Sequence, residues 1–264
     1  MKYTLILTAS LTLLTLGTRA ASVGDAAKTA VEAINAVTEQ GKTPLMLAAE
    51  DDNLDEVKKL LADGADVNAA NENGVTALMC ACETYGDSII QTLIDAGANV
   101  NAKDQNGFTP LACAAANKAL DTVNLLIASK ADVNLQPPNR EYTALMHAVY
   151  AGDADCIKAL LAAKAEVNVI CTGGYTPLLL ACDRENAESA LILLHAGANP
   201  RVESENGDTP ASRAENSGEE ELVNLLKQAL AGEKLPDLPS PEPPAADEQQ
   251  DDAEQEPDEF SEAE

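Results

Sequence analysis

Residue types that commonly carry out chemistry are few in this 264-residue chain, and their spacing does not favour catalysis. The two histidines, His147 and His195, are too far apart in the sequence pattern to predict a metal site or a hydrolytic relay. Gly41-Lys42-Thr43 imitates the end of a phosphate-binding loop, but Ala36 stands where that loop needs a glycine. The acidic, asparagine-rich stretch 66–74 lacks the spacing and the closing glutamate of a calcium loop. We therefore predict no enzyme activity, no catalytic residue, no cofactor and no metal site.

A repeat of 33 residues is the dominant pattern in the rest of the chain. A segment of the form Thr-Pro-Leu-x-x-Ala, with Ala for Pro in some copies, recurs in a fixed phase. The six copies begin at Thr43, Thr76, Thr109, Thr143, Thr176 and Thr209. The spacing is 33 residues throughout, except for 34 between the third and fourth copies. A second motif, rich in Leu-Leu and ending in Gly-Ala-Asp-Val-Asn or a close variant, keeps the same phase at 60–68 and 93–101.

The chemistry of each unit predicts two helices and a turn. Threonine is a favoured N-cap, and proline at the first helical position gives up no needed N–H group. The second helix of the first unit carries one apolar stripe, formed by Leu54, Val57, Leu60 and Leu61. Gly64, Gly97 and Gly197 fit the left-handed residue that ends such helices, and the Asn-Gly pairs that follow are typical of tight turns. One such unit needs neighbours to bury its apolar face.

The six phased copies, over about residues 41–231, resemble the ankyrin family and its Thr-Pro-Leu-His-x-Ala signature. The signature histidine is replaced in every copy, and the sixth copy is degenerate. In the fourth copy Glu141 replaces the usual glycine, and Pro137-Pro138 accompany the inserted residue, which predicts a distorted hairpin loop there. The resemblance implies an all-α solenoid of about six helix-turn-helix units with β-hairpin-like loops. It also implies a surface that binds proteins, formed by the hairpin tips and inner helices.

Both ends of the chain differ from the repeats. Residues 1–20 read as a secretory signal peptide, with Lys2, an apolar run from Leu5 to Leu16, and the small residues Thr18 and Ala20 before the cleavage point. The alternative is an uncleaved membrane anchor. We assign residues 21–41 to an N-terminal capping helix and first loop, 42–231 to the repeats, and 232–264 to a disordered, acidic, proline-rich tail. The predicted capping helix runs from Asp25 to Ile34, and a final helix covers 219–230. The sixth copy is polar at Ser212, Arg213 and Glu215, as expected of a terminal repeat.

The net charge of −27 restricts the partners. Nucleic acids and anionic lipids need Lys and Arg to neutralise phosphates, so we expect no nucleic-acid partner and no membrane insertion after signal cleavage. A basic or neutral protein partner is favoured instead, bound by a monomer. The tail from 231 onward has thirteen acidic residues and one lysine, which predicts either a solvating segment or a lure for a basic partner.

Aromatic residues are rare, so their placement is informative. Phe108, Tyr142 and Tyr175 each stand directly before a repeat threonine, where Val75 stands one copy earlier. Tyr150 lies seven residues after Thr143. Together with two nearby cations they form our predicted partner-binding strip. Its residues are Val75, Lys103, Phe108, Arg140, Tyr142, Tyr150 and Tyr175. The alternative is a row of hairpin side chains that only stiffens the stack.

Six cysteines in an exported chain raise the question of disulfides. Cys80 and Cys113 are equivalent in adjacent copies, but stacked helices lie about 8–10 Å apart, too far for a disulfide. Cys156 with Cys182 remains open as a pair, and Cys171 is predicted to be the most exposed and most reactive thiol. Buried structural thiols are favoured for the rest.

His147 takes a position held by leucine in other copies. We therefore predict that it is a packed, hydrogen-bonded core histidine. Taken together, the patterns predict an exported bacterial ankyrin-repeat protein, periplasmic or secreted, that binds a protein partner on its concave surface. The alternatives are a structural envelope protein and a host-directed secreted effector whose acidic tail contributes binding.

Overall fold

Each repeat begins where a threonine caps a helix. The computed structural model describes residues 34–38, 41–84, 86–137 and 141–238. In all six copies the threonine Oγ1 accepts a hydrogen bond from the backbone N–H three residues later, at 3.1–3.4 Å. Proline occupies the first helical position in four of them. The predicted helix starts are therefore confirmed, because the cap satisfies an N–H group that has no partner within the helix.

The described residues fold into twelve α-helices arranged as six pairs. The inner helices are α1 (Pro44–Glu50), α3 (Ala77–Thr84), α5 (Pro110–Ala116), α7 (Ala144–Ala151), α9 (Pro177–Asp183) and α11 (Pro210–Ser217). The outer helices are α2 (Leu54–Ala62), α4 (Asp87–Asp95), α6 (Leu120–Ala128), α8 (Ala154–Ala162), α10 (Ala187–His195) and α12 (Glu220–Ala231). A 3₁₀ turn spans Thr172–Gly174. Each helix packs on its partner and on the equivalent helices of adjacent repeats, which confirms the all-α solenoid.

The core is a continuous layer between inner and outer helices. The leucine two residues after the capping threonine is only 1% exposed in five copies, represented by Leu45 and Leu145. The outer helices contribute an equivalent buried row. Its members are Val57, Ile90, Val123, Ile157 and Ala190. Burial of each such large aliphatic side chain stabilises the fold by about 1.5–3 kcal/mol. Because these side chains meet across repeat boundaries, each unit depends on its neighbours.

Two kinds of residue end the outer helices. Gly64, Gly97 and Gly197 adopt left-handed backbone angles, with φ of 94°, 89° and 91°, as predicted. In the third and fourth copies Lys130 and Lys164 hold the same conformation, with φ of 70° and 71°. A residue with a Cβ atom is strained by about 1–2 kcal/mol there, so these two copies carry a local penalty that the glycine copies avoid.

A ladder of asparagines joins successive repeats below the hairpins. Asn68 Oδ1 accepts a hydrogen bond from the backbone N–H of Asn99 at 2.7 Å, and its Nδ2 donates to the Gly97 carbonyl. The same acceptor role is played by Asn35, Asn101, Asn134 and Asn168. Asn35 therefore stands in phase with the repeats, whereas the predicted capping helix lies outside the described residues except for Ile34.

The C-terminal end is packed further than the sequence predicted. Helix α12 matches the predicted final helix to within one residue at each end. Beyond it, Leu235 packs against the hydrophobic core, and His195 Nε2 lies 2.8 Å from the carbonyl oxygen of Pro236. Leu235 and Pro236 thus contact the solenoid, although we assigned them to a disordered tail. The remainder of that tail, 239–264, and the predicted signal peptide lie outside the described residues.

Candidate functional site

Each hairpin loop places one side chain immediately before the threonine that caps an inner helix. In the third copy the Asp104 N–H donates to the Phe108 carbonyl at 3.0 Å, and Asp104 Oδ1 accepts from the Phe108 N–H at 2.7 Å. Gly107 closes the turn with a φ of 81°. These bonds hold Phe108 in place immediately before the cap of α5. Tyr142 and Tyr175 occupy the same register before α7 and α9.

His147, four residues after the cap of α7, joins these rings into one cluster. The centroids of Phe108 and His147 lie 4.6 Å apart in an edge-on arrangement, and those of Tyr142 and His147 lie 5.6 Å apart. Tyr150 extends the cluster, 6.4 Å from Tyr142, and 50% of its surface is exposed. Arg184, the C-cap residue of α9, lies over the Tyr150 ring at 4.5 Å. The structure therefore places Phe108, Tyr142 and Tyr150 in one ring cluster around His147, while partner binding by this strip stays a prediction.

An open pocket of about 490 Å³ lies against this cluster. We call it the aromatic groove. Its lining residues are Asp104, Asn106, Phe108, Pro137, Glu141, Tyr142 and His147. The walls are mainly apolar, and the two carboxylates give the groove a negative character. Pockets of about 300–1,000 Å³ with apolar walls and a few polar groups are typical of binding sites.

His147 contributes a neutral ring to the groove. Burial lowers the pKa of its imidazole to about 4, so the side chain carries no charge near neutral pH. We predicted a packed, hydrogen-bonded core histidine. His147 is packed against the rings of Phe108 and Tyr142, but it is half-buried and lines the groove, whereas Leu180 in the same register is 3% exposed and lies in the core. Burial also raises the pKa of the neighbouring Tyr142 phenol.

At the C-terminal end an arginine takes the position, four residues after the cap, that His147 holds in α7. Arg213, four residues after the cap of α11, donates from Nη2 to the Tyr175 hydroxyl at 2.6 Å and to Asp208 Oδ2 at 2.7 Å. Its Nη1 lies 2.8 Å from Asp183 Oδ1. We call these four residues the Arg213 cluster. Tyr175, which we placed in the binding strip, is thus held by a neighbouring repeat through charge-assisted bonds.

The other predicted strip residues have separate positions. Val75 is half-buried and packs against the core. Lys103 is exposed and donates from Nζ to the Gln136 carbonyl at 3.4 Å, beside the hairpin and not in the groove wall. Arg140 lies outside the described residues, as does most of the inserted loop that we expected to be distorted.

All six cysteines are free and buried. Burial raises the pKa of the Cys82 and Cys182 thiols to about 12. Cys171 was predicted to be exposed and reactive, and that prediction is wrong, because only 4% of its surface is exposed and burial raises its pKa as well. Its side chain takes the place that Asp104 and Ser204 hold at the closed base of other hairpins. Cys156 and Cys182 are likewise buried and not joined.

In the described ranges no cluster of three or more His, Cys, Asp or Glu side chains could hold a metal ion. Within the same ranges no helix is both long and apolar enough to cross a membrane.

Comparison with known proteins identifies the repeat. The family model for ankyrin repeats (three copies) matches residues 12–104, 45–137 and 135–204, which together cover more than half of the chain. The chain belongs to the ankyrin-repeat family. Its fold is similar to the ankyrin repeat domain of human ASB11, with a TM-score of 0.65 and 29% identity over 71% of this chain and 84% of that one.

Curated relatives match shorter parts of this ankyrin-repeat protein. Human protein phosphatase 1 regulatory subunit 27 is 32% identical over 84 residues, which is 32% of this chain and 54% of the relative. A putative ankyrin repeat protein of Rickettsia bellii is 36% identical over 67 residues, 25% of this chain and 40% of the relative. The chain thus spans about half the length of these relatives or less. Ankyrin repeats are in general protein-interaction modules and not catalysts.

Sequence reasoning missed His147, Arg184 and Arg213 as partners of the aromatic rings. Arg213 was assigned to a polar cap and His147 to the core. Their register gave no usable signal, because Cys80, Cys113 and Leu180, which also stand four residues after a capping threonine, lie in the core with 3% of their surface exposed.

Proposed function

We propose that this ankyrin-repeat protein is a non-catalytic scaffold that binds a protein partner on its concave side, with the aromatic groove at the centre of the contact. The observation that carries the proposal is the open apolar groove of about 490 Å³ beside half-exposed rings. Tyrosine and phenylalanine give large contact areas at low entropic cost and are enriched where partners bind tightly. The name of the human relative, a regulatory subunit, also favours a binding role over a catalytic one.

The charge of the chain favours a basic or neutral protein as the partner. A net charge of −27 opposes nucleic acids and anionic lipids and favours a basic or neutral protein, bound by a monomer. The aromatic groove has two carboxylates, Asp104 and Glu141, in its lining. We therefore propose that the partner binds at the aromatic groove and that its contacting surface is basic or neutral.

The site of action is proposed from residues 1–20. Lys2, the apolar run and the small residues before position 21 support export to the periplasm or the medium. Expression from the full-length gene in its own host, followed by intact mass measurement, tests this point. Removal of residues 1–20 from protein recovered outside the cytoplasm is expected, and an intact N-terminus on cytoplasmic protein would contradict export.

Capture of the partner tests the groove. The tagged protein serves as bait in the exported fraction of its own host, beside a Phe108→Ala/Tyr142→Ala/Tyr150→Ala triple variant. The matched control is a Val37→Ala/Ile170→Ala variant, because these exposed side chains (50% and 54%) lie outside the groove. We expect one protein to be held by the wild type and the control, and at least about tenfold less by the triple variant. Equal capture by a folded triple variant would refute the proposal.

A second candidate is a structural envelope protein or secreted effector that binds through its acidic tail. The thirteen acidic residues from 231 onward favour it. Deletion of residues 239–264 separates the two functions. The groove proposal expects capture to persist after deletion, whereas the tail hypothesis expects capture to be lost while the triple variant still binds.

A further inference from the structure

Three hairpins of the solenoid have an Asn-Gly pair at the tip. The pairs are Asn73-Gly74, Asn106-Gly107 and Asn206-Gly207. All three asparagines are exposed. In each turn the glycine has a φ of 80–83° and donates its N–H to the carbonyl three residues earlier at 2.9 Å. The three turns therefore share sequence, exposure and closing bond, and they differ in what packs on them.

An asparagine that precedes a glycine can react with the peptide backbone. The glycine nitrogen attacks the asparagine Cγ atom, a C–N bond forms and the Cγ–Nδ2 bond breaks, so that the amide leaves as ammonia with the proton of the attacking N–H group. Water then opens the succinimide ring at either carbonyl carbon, which gives aspartate or isoaspartate. The net reaction consumes water and releases ammonia, and nothing is oxidised or reduced. Glycine permits the ring closure most readily, because it has no Cβ atom.

The next hairpin covers the turn in the second and third copies. A Cβ atom on Gly74 would lie 2.9 Å from Asp104 Cα, and one on Gly107 would lie 2.5 Å from Pro137 Cβ. The carbonyl of the peptide bond before Gly74 also accepts from the Gln105 N–H at 2.8 Å. Ring closure has to rotate this peptide plane, so packing and hydrogen bonding by the neighbouring hairpin oppose the reaction.

The turn of the sixth copy lacks such a cover among the described residues. A Cβ atom on Gly207 would meet only Glu203 Oε1, at 3.6 Å, and that atom belongs to the same hairpin. No described residue donates a backbone hydrogen bond to the Asn206 carbonyl. The peptide plane between Asn206 and Gly207 can therefore rotate without displacing a neighbouring repeat.

The side chain that braces the turn is also weaker in the sixth copy. Ser204 Oγ accepts from the N–H groups of Asn206 and Asp208 at 3.3 and 3.1 Å. In the third copy Asp104 Oδ1 accepts the two equivalent bonds at 2.9 and 2.7 Å. A charged acceptor holds such bonds more strongly than a hydroxyl group does. The sixth turn is thus both uncovered and weakly braced.

From these differences we infer that Asn206 is a site of spontaneous modification, which converts to isoaspartate while the asparagines of the second and third hairpins persist. No partner or enzyme is needed for this change, because water is the only co-reactant. The fold selects one of three chemically equivalent pairs, since only the last hairpin has no described hairpin after it.

Conversion reaches the Arg213 cluster through the backbone of the turn. Isoaspartate continues the chain through its side-chain carboxyl group, which adds a backbone atom to the turn. The turn is closed by the Gly207 N–H on the Ser204 carbonyl and by the Ser204 N–H on the Asp208 carbonyl, both at 2.9 Å. Asp208 Oδ2 lies 2.7 Å from Arg213 Nη2. A lengthened turn moves Asp208, so the closed site of the last repeat loosens as the protein ages.

The rates at the three asparagines of one protein test the inference. The purified full chain is kept at mildly alkaline pH, and samples taken over several weeks are digested and analysed by mass spectrometry, with electron-transfer fragmentation to distinguish isoaspartate from aspartate. We expect Asn206 to convert at least about fivefold faster than Asn73 or Asn106, the factor that the loss of a single hydrogen bond in the barrier gives. In urea, where the hairpins are unfolded, we expect the three rates to agree within about twofold.

Two variants separate the brace from the chemistry. Ser204→Asp introduces the acceptor of the third copy and should slow conversion of Asn206 about twofold to fivefold, while the rates at the other two asparagines stay unchanged. Asn206→Gln should abolish conversion in this turn, because its longer side chain would have to close a larger ring. Aged wild-type protein should exchange the amide hydrogens of α11 faster in proportion to its isoaspartate content, and Asn206→Gln protein aged in parallel should not.

Equal rates at the three asparagines of the folded protein would overturn the inference, as would faster conversion of Asn73 or Asn106. Absence of conversion at Asn206 over a period in which the urea sample converts would overturn it as well. Unchanged exchange of α11 in protein rich in isoaspartate would refute the link to the Arg213 cluster.

Discussion

The aromatic groove and the Arg213 cluster each contain a pair of side chains at equivalent positions of the repeat. In each, a ring directly before a capping threonine meets the side chain four residues after the next cap. In the groove this pair is Phe108 and His147, 4.6 Å apart, and the pocket beside it is open. At the other end it is Tyr175 and Arg213, joined by a 2.6 Å hydrogen bond and enclosed by two carboxylates. The repeat fixes where the two side chains meet. The type of residue four positions after the cap, histidine or arginine, decides whether the site is open or closed.

This difference separates a binding region from a stabilising region of the same solenoid. A cation that belongs to the chain satisfies nearby carboxylates and ties the last repeat to the fifth. A neutral ring in its place contributes packing against Phe108 and Tyr142 and forms no ion pair. The following predictions test that contrast, beginning with the largest expected effect.

The hairpin glycines should differ sharply between the two regions. Gly107 and Gly207 share a register, with φ of 81° and 83°, so alanine is strained at both. A Cβ atom on Gly107 would lie 2.5 Å from Pro137 Cβ in the groove wall, whereas on Gly207 its nearest neighbour is 3.6 Å away. We expect Gly107→Ala to lower the free energy of unfolding by about 3–5 kcal/mol and Gly207→Ala by about 1–2 kcal/mol. Urea denaturation measures both, and equal losses would contradict close packing at the groove.

Removing the cation from the closed site should destabilise the C-terminal end. Arg213→Ala leaves Asp183 and Asp208 half-buried without their partner, and we expect a loss of about 2–3 kcal/mol after allowing for solvent screening. Arg184→Ala is the control, since Arg184 is exposed and we expect a loss below about 1 kcal/mol. Hydrogen exchange should show the change concentrated in α11 and α12. An Arg213→Ala protein as stable as the control would indicate that the closed site contributes no stability.

The open site should give stability a pH dependence. Because burial lowers the pKa of His147 from 6.5 to about 4, the unfolded chain binds more protons than the folded chain between these values. Stability is therefore complete above about pH 6.5 and is lost as the pH falls toward 4, by about 1–2 kcal/mol for this half-buried group. His147→Leu, the residue of other copies, should remove this component. Asp104, Glu141 and Tyr142 face the same groove in both proteins, so the difference between their urea midpoints isolates the contribution of the His147 side chain. Parallel pH profiles would refute the assignment.

The smallest effect concerns the strained helix ends behind the groove. Lys130→Gly and Lys164→Gly should each stabilise the protein by about 0.5–1 kcal/mol, since glycine adopts a φ near 70° without strain but loses more chain entropy. Lys158→Gly, in the interior of α8, is the opposite control and should destabilise by about 1 kcal/mol. Thermal melting checks all three. A loss of stability in Lys130→Gly would mean that the lysine side chain contributes more than its backbone strain costs.

The fold was predicted from the sequence nearly in full, whereas the site was predicted in part. Helix starts at the six threonines, the left-handed glycines and the final helix agree with the structure, because each depends on residues close in the chain. Phe108 and Tyr142 both contact the His147 ring, and Tyr142 lies beside Tyr150, while their role in partner binding stays a prediction. Tyr175 has a structural partner, Lys103 lies beside the hairpin, and Cys171 is buried. These errors share one cause, since each concerns a contact with another repeat or the packing of a loop.

The sequence by itself determined the phase of the repeats, the caps of the inner helices and the position of the aromatic row. These features follow from local backbone chemistry and from a period that only a stacked solenoid satisfies. Only the tertiary structure decided that His147 completes one ring cluster and that Arg213 closes another. Those pairs are formed across a repeat boundary, where the rise and rotation of one unit on the next set the distance. A one-dimensional pattern gives the register of such side chains, and the packing of the helices decides which of them touch.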